Sequence, residues 1–533
     1  MAYDPLSNPV VLISIALSTF LIITFLRRPL LPNIPIIGSR NNDWFPLLQA
    51  RWRNTRDFKK ALEHAYVHDR PVLVPVADNG DIVILPSTEI KFIIDQPDSV
   101  LNFIQSAFDI HQLDYTFPDR KILRVPIHRK LIGTKLTPQI GNLISDMAEE
   151  VAWAFGMQWG GTNAYDGWRE VRVFDTMRHI VGCVANRSFD GLPFCRDPEL
   201  VGNGVKFAID VLLTSTILKL IWKPLRPLLA PLITIPNRIH TQRFRKILMS
   251  EIDRRLHDYD KRQSDPEDNR YLPSYMPNDF LQWLVEQAKA SGDPYMWRVE
   301  TLADRILSLN FAAIATTSFT STQAVLDLVS SKAEYIDEIR AEIKSVLNAH
   351  GGRWNKRALG QLEKLDSAIR ESARLNSVLT IGLRRTVVAE NGLTTPSGVH
   401  LPRGTRVSVS AYNIMRDETI YAESNTFVPF RFYDLRNNNH TATDGFDDRK
   451  GDYVQRARNA LPTTNPDYLA FGHGKQACPG RFFAAAELKL ILAYALLDYD
   501  FEMLPQKPEA MWFGSRILPP LEATFKVRKR KEA

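Results

Sequence analysis

The chain has 533 residues, 44% of them apolar and 10% aromatic, enough to bury a large core without covalent staples. Its 67 Lys and Arg against 60 Asp and Glu leave a net charge of +7, too mild to imply a nucleic-acid partner. Three cysteines, Cys183, Cys195 and Cys478, exclude a disulfide framework and favour a reducing compartment, and no zinc spacing, GxGxxG loop or internal repeat is present.

Residues 1–8 carry no Lys or Arg, and the uncharged run PVVLISIALSTFLIITFL, Pro9 to Leu26, follows. As a helix this run would be about 27 Å long, close to one hydrocarbon thickness, so it is expected to be a transmembrane anchor rather than a cleaved leader. Arg27 and Arg28 come next, and the positive-inside rule then leaves residues 1–8 lumenal and the remainder cytosolic. Pro29, Pro32 and Pro35 prevent a helix over residues 27–38, which read as a stiff hinge, and residues 39–533 read as one domain.

Within that domain helical periodicity dominates: NLISDMAEEVAWAF, TLADRILSLNFAAIATTSFTSTQAVLDLVS, AEYIDEIRAEIKSVLNAH, LDSAIRESARLN and FFAAAELKLILAYALLDY place apolar residues three and four apart. Strand-like pieces are short, as in PVLVPV, DIVILP and TRVSVSAY. The expected fold class is mainly α with a small β portion. Leu212 to Pro236 is apolar but broken by Pro224, Pro227 and Pro231, which excludes a second span and leaves two readings, ordinary core or a surface dipping into lipid headgroups. Asp434 to Pro466 is rich in Asn, Asp, Arg and Gly without periodicity, and a long surface loop is expected.

The stretch FGHGKQACPG, Phe471 to Gly480, sets Cys478 among glycines ahead of a helix. Most lone cysteines are small buried hydrophobes. A nucleophile needs a base, and His473 is near in sequence but lacks a third orienting group. A thiolate ligand to haem iron needs only one cysteine, a close backbone approach to the porphyrin and donors around the sulfur.

The stretch resembles the haem-binding loop of the cytochrome P-450 family, F-x-x-G-x-[RH]-x-C-x-G, through Phe471, Gly474, Cys478 and Gly480, with Gln476 at the position that is usually a cation. ESAR resembles its E-x-x-R motif, assigning Glu371 and Arg374, and FVPFRF resembles P-x-R-F and supplies Arg431 as third member of that network. FAAIATTS resembles the helix crossing the distal face, through Ala312, Ala313, Thr316 and Thr317, with Ala315 in place of the acid. These matches run from about Leu302 to the C-terminus. Upstream, LDYTF, IHRKLIGTKLT and GLPFCRDPEL resemble fungal members that oxidise terpenoids and other secondary metabolites.

The resemblance implies the cytochrome P-450 fold, haem b bound through the Cys478 thiolate, propionates met by His128 and by Arg384 or Arg385, with Arg384 preferred, and Thr316 and Thr317 at the reacting face. It implies a monooxygenase of the endoplasmic reticulum membrane acting on a small apolar substrate, with electrons from a separate NADPH-cytochrome P-450 reductase. Lys475 and Arg481 are candidates for docking that reductase. Two rivals share these residues: an O2-independent haem-thiolate isomerase or dehydratase, suggested by Ala315, and a non-catalytic membrane haem protein.

Overall fold

The helices lie where the apolar periodicity places them. The computed structural model describes residues 34–160, 167–265, 276–437 and 457–531; the expected anchor, residues 9–26, and most of the hinge fall outside them. The long helices are α1 (Thr137–Trp159), α2 (Val173–Phe189), α3 (Pro198–Leu220), α4 (Ile235–Ser264), α5 (Val299–Val329), α6 (Ala333–Ala349), α7 (Glu363–Leu375) and α8 (Arg481–Asp498). Local chemistry sets their ends. At α3, Asp197 accepts from the amides of Glu199 and Leu200 at 2.8 and 2.9 Å, and Pro198 takes the first turn, where no amide is needed.

Helices α2, α3, α4, α7 and α8 pack around α5, which is buried along most of its length, α1 packs outside them on α2 and α8, and together they form the larger core. A second core lies under a five-stranded sheet of β1 (Val72–Val76), β2 (Gly80–Leu85), β3 (Leu101–Asn102), β4 (Gly382–Val387) and β5 (Arg406–Val409). The strand order is β1-β2-β5-β4-β3; β2 and β5 run parallel, the other pairs antiparallel, and β4 bulges between Gly382 and Arg385. A hairpin of β6 (Met511–Phe513) and β7 (Arg516–Leu518) stands beside it. The architecture is mostly helical with a small sheet portion, as the periodicity implied.

Two apolar segments resolve differently from one another. By length and composition α3 is able to cross a membrane, but 56% of its apolar stretch is buried in the protein, against α4 and α5, as in a core helix. The prolines that follow break the chain into short helices, Lys223–Leu225 and Arg226–Ile233, whose apolar residues face outward: Leu228 is 72% and Leu232 67% exposed. The expected loop from Asp434 starts as a helix instead. Arg431–Asn437 is helical because Arg436 pairs with the buried Asp366, and residues 438–456 lie outside the described ones.

Candidate active site

Glu371 and Arg374 share one face of α7, a turn apart, and both are fully buried. Two parallel N–H groups of Arg374 donate to the Glu371 carboxylate at 2.8 Å each, and the remaining NH1 donates to the carbonyls of Met415 and Ser424 at 2.5 and 2.7 Å. Arg431 donates from Nε to the same carboxylate at 3.0 Å and from NH1 to the Ala422 carbonyl at 2.5 Å. The network thus ties α7 to the meander before the cysteine loop. Removing one member of a buried pair leaves an uncompensated charge, a loss of about 3–5 kcal/mol.

The cysteine loop is closed by its own backbone. The Cys478 amide donates to the Phe471 carbonyl at 2.8 Å and the Ala477 amide to the Gly474 carbonyl at 3.0 Å. Gly474 has φ +73°, and a Cβ there would sit 2.8 Å from Cβ of Ile94, so only glycine fits between the loop and the short helix Ile90–Asp95. Cys478 is exposed, yet protein crowds the recess around it: burial pushes its thiol up, while the Gly480 amide, the Arg481 and Arg129 guanidinium groups and the Arg481 amide pull the other way. A metal ion at the sulfur would deprotonate it outright. His473 points elsewhere, its Nδ1 lying 3.1 Å from the Thr464 hydroxyl, and burial lowers its pKa. Cys183 and Cys195 are buried, the former with its thiol raised to about 12 by desolvation.

Helix α5 is buried on most sides, but Ala312 and Thr316 are exposed, one turn apart, with Ala313 and Ala315 partly so. Thr316 donates its hydroxyl to the Ala312 carbonyl at 2.9 Å, the back-bonding common to mid-helix threonines. Its side chain remains exposed on that stripe. Thr317 faces the other way, buried against Glu487 of α8, so the two threonines serve different surroundings.

Neighbouring residues of β4 point to opposite faces, and here that separates two arginines. Arg385 lies over the Phe103 ring at 5.5 Å, as Arg129 does, and burial and then Arg129 lower its pKa to about 10 against the pull of Asp98. Arg129 donates to the Gln476 amide oxygen, and Gln476 donates to Asp98 at 3.1 Å. Arg384 turns away from that group, toward Arg516, Asp78 and Arg406. The bulge and the positive φ of Leu383, 54°, set which arginine takes which side. His128 lies 3.1 Å from NH1 of Arg305 through Nδ1, and burial, Arg305 and Arg129 lower its pKa to about 3. Guanidinium only donates, so Nδ1 accepts and the neutral ring carries its proton on Nε2.

The family model described as Cytochrome P450 matches residues 206–527. The chain belongs to the cytochrome P450 family. Cytochrome P450 monooxygenase 103 of Postia placenta is 32% identical over 508 residues, covering 94% of each chain. Cytochrome P450 monooxygenase gloP of Glarea lozoyensis is 30% identical over 505 residues, 92% of this chain and 90% of the relative, and olcJ of Penicillium canescens is 30% identical over 507, 94% and 89%. The protein is therefore a P450 oxidoreductase, a family whose haem iron is held by a cysteine thiolate.

The residues present fit that group. An exposed cysteine heads α8, an exposed stripe of small residues breaks the burial of α5, and two arginines and a neutral histidine stand near the loop. Three participants escape the motifs. Arg129 adjoins His128 in a basic run, Glu487 sits in an apolar run, and Arg516 opens β7 just after a hairpin turn; only Glu487 carried a signal, being an acid on the apolar side of a helix.

Proposed function

We propose that this P450 is a membrane-anchored haem-thiolate monooxygenase that inserts one oxygen atom from O2 into an apolar secondary metabolite. The observation that carries the reading is Cys478, exposed at the head of α8 in a loop closed by the Phe471–Cys478 hydrogen bond. When bound, haem supplies reductive activation of O2. Cys478 would hold the haem iron through its thiolate, which the Gly480 and Arg481 amides favour. Arg129, Arg385 and the Nε2–H of His128 are suited to the propionates; Arg384 is directed away from them. Thr316 holds a water in line for proton delivery, and Ala315 contributes no acid.

The proline-broken surface around Leu228 and Leu232, beside Lys223, suits contact with lipid headgroups in addition to the anchor over residues 9–26, and supports a location at the endoplasmic reticulum membrane. The exposed Lys475 in the cysteine loop suits docking of an acidic NADPH-dependent reductase. The upstream resemblance favours a terpenoid skeleton. Co-expression with a reductase, feeding terpene skeletons under isotopically labelled O2, should give a product that gains one labelled oxygen. Turnover that persists without O2 would instead identify an isomerase.

A further inference from the structure

We propose that the substrate is an apolar carboxylic acid, its carboxylate gripped by Lys219, Arg384 and Arg516. The proposal rests on the monooxygenase reading and names the substrate class for that site.

The three cations come from separate elements. Lys219 stands in the last turn of α3, Arg384 in the bulge of β4 and Arg516 at the first position of β7. Lys219 and Arg384 both lie in the field of Arg516: burial and then Arg516 bring the Lys219 ammonium down to about 7, and burial and then Arg516 bring Arg384 to about 10. The carboxylate that faces all three is Asp78: its Oδ2 accepts from the amide and hydroxyl of Ser515 at 3.0 and 2.7 Å, its Oδ1 is buried without a hydrogen-bond partner, and its single negative charge stands against three positive ones. Arg406 adds a fourth positive charge, though its own N–H donates to the Asp81 carbonyl at 2.9 Å.

Their hydrogen-bonding capacity is left over. Among the described residues neither the Lys219 ammonium nor the Arg384 guanidinium makes a hydrogen bond, and Arg516 makes one, to the Leu212 carbonyl at 3.1 Å. Nε of Arg384, NH2 of Arg516 and Nδ1 of the adjoining His111 are buried without a partner. Part-buried cations with unmet donor atoms are costly, and one carboxylate accepting from several of them reduces both the charge imbalance and the unmet bonds.

The cluster is rigidly mounted and borders an apolar wall. Gly514, at φ +54°, lets the hairpin turn close over Asp78, whose carboxylate a Cβ there would meet at 2.6 Å. Thr380 fixes the turn from the other side through the Ser515 carbonyl at 2.8 Å. His111 packs edge-on against Phe311 with ring centroids 5.6 Å apart, and Phe311 meets Phe117 at 5.5 Å and Phe207 at 6.4 Å. Phe311 immediately precedes the exposed Ala312 of α5, so the aromatic wall leads from the cations to the stripe with Thr316. An aromatic wall that ends in cations with unmet donors suits a molecule with one anionic end.

The test uses purified holoenzyme, with dodecanoate and methyl dodecanoate as probes and titration calorimetry as readout. The acid should bind at least about tenfold more tightly than the ester, as charge-assisted hydrogen bonds allow. Lys219→Met, Arg516→Gln and the double variant should each bring that ratio toward one while leaving ester binding unchanged. Equal binding of acid and ester, no binding of dodecanoate, or a preference that survives the double variant would overturn the proposal. So would loss of haem per protein in Arg384→Gln, which would assign the cluster to haem. The ferrous carbon monoxide band, recorded on the same preparations, reports the thiolate separately, so the carboxylate proposal can fail with the haem-thiolate reading intact.

Discussion

Arg129 donates to the side-chain amide oxygen of Gln476, which places a guanidinium from the short helix Ile127–Leu131 at the cysteine loop where the family motif usually carries its own cation. The charge is therefore kept in space while its sequence position has moved. Arg129→Gln should weaken haem retention by about tenfold or more, the scale of a charged hydrogen bond of about 1.5–3 kcal/mol. Adding Gln476→Arg in the same chain should restore most of it. Haem transfer to apomyoglobin measures both, and retention unchanged by Arg129→Gln would show that Arg129 only packs.

Cys478→Ser should abolish the red-shifted Soret band of the ferrous carbon monoxide complex. Cys183→Ser and Cys195→Ser should keep it, because both thiols are buried and burial holds them protonated. A band that survives in Cys478→Ser would remove the central assignment.

The sequence motifs made much of this site legible because they encode local backbone. Glycines in a tight loop, a Glu and an Arg three apart on a helix, and a run of small residues each produce their geometry within a few residues of chain. What stayed illegible is set by distant packing. Alternation along β4 implies that Arg384 and Arg385 diverge, but the side each takes depends on the bulge at Gly382 and on β5 beside it. Lys219, Arg384 and Arg516 meet only because α3, β4 and a C-terminal hairpin converge. The helix at Arg431–Asn437 exists because the buried Asp366, far away in sequence, anchors Arg436, so an unpatterned segment folded against expectation.

Thr316→Ala should bind substrate and haem normally but divert NADPH electrons toward hydrogen peroxide. Product per NADPH should fall by about tenfold or more, the lower range for a positioned proton donor. The back-bond to Ala312 predicts that Thr316→Ser, which keeps the hydroxyl but not the methyl group, retains most of the coupling. If Thr316→Ala leaves product yield and peroxide release as they are, the hydroxyl has no part in proton delivery.

Glu487 supplies a pH test of the packing between α8 and α5. Burial raises its carboxyl to about 8, both carboxylate oxygens being buried without a hydrogen-bond partner, and the neighbouring Thr317 hydroxyl offsets this only in part. An acid whose folded pKa exceeds its unfolded value binds more protons folded than unfolded between the two. Its contribution to stability is therefore full below about pH 4.5 and is lost progressively as the pH rises through about 8, by roughly a few kcal/mol in all. Glu487→Gln resembles the protonated acid in shape and never ionises, so it should be more stable than the wild type at neutral pH and should flatten that decline. Urea midpoints across the same pH range measure both effects. A variant whose midpoints decline in parallel with the wild type would place the titrating group elsewhere.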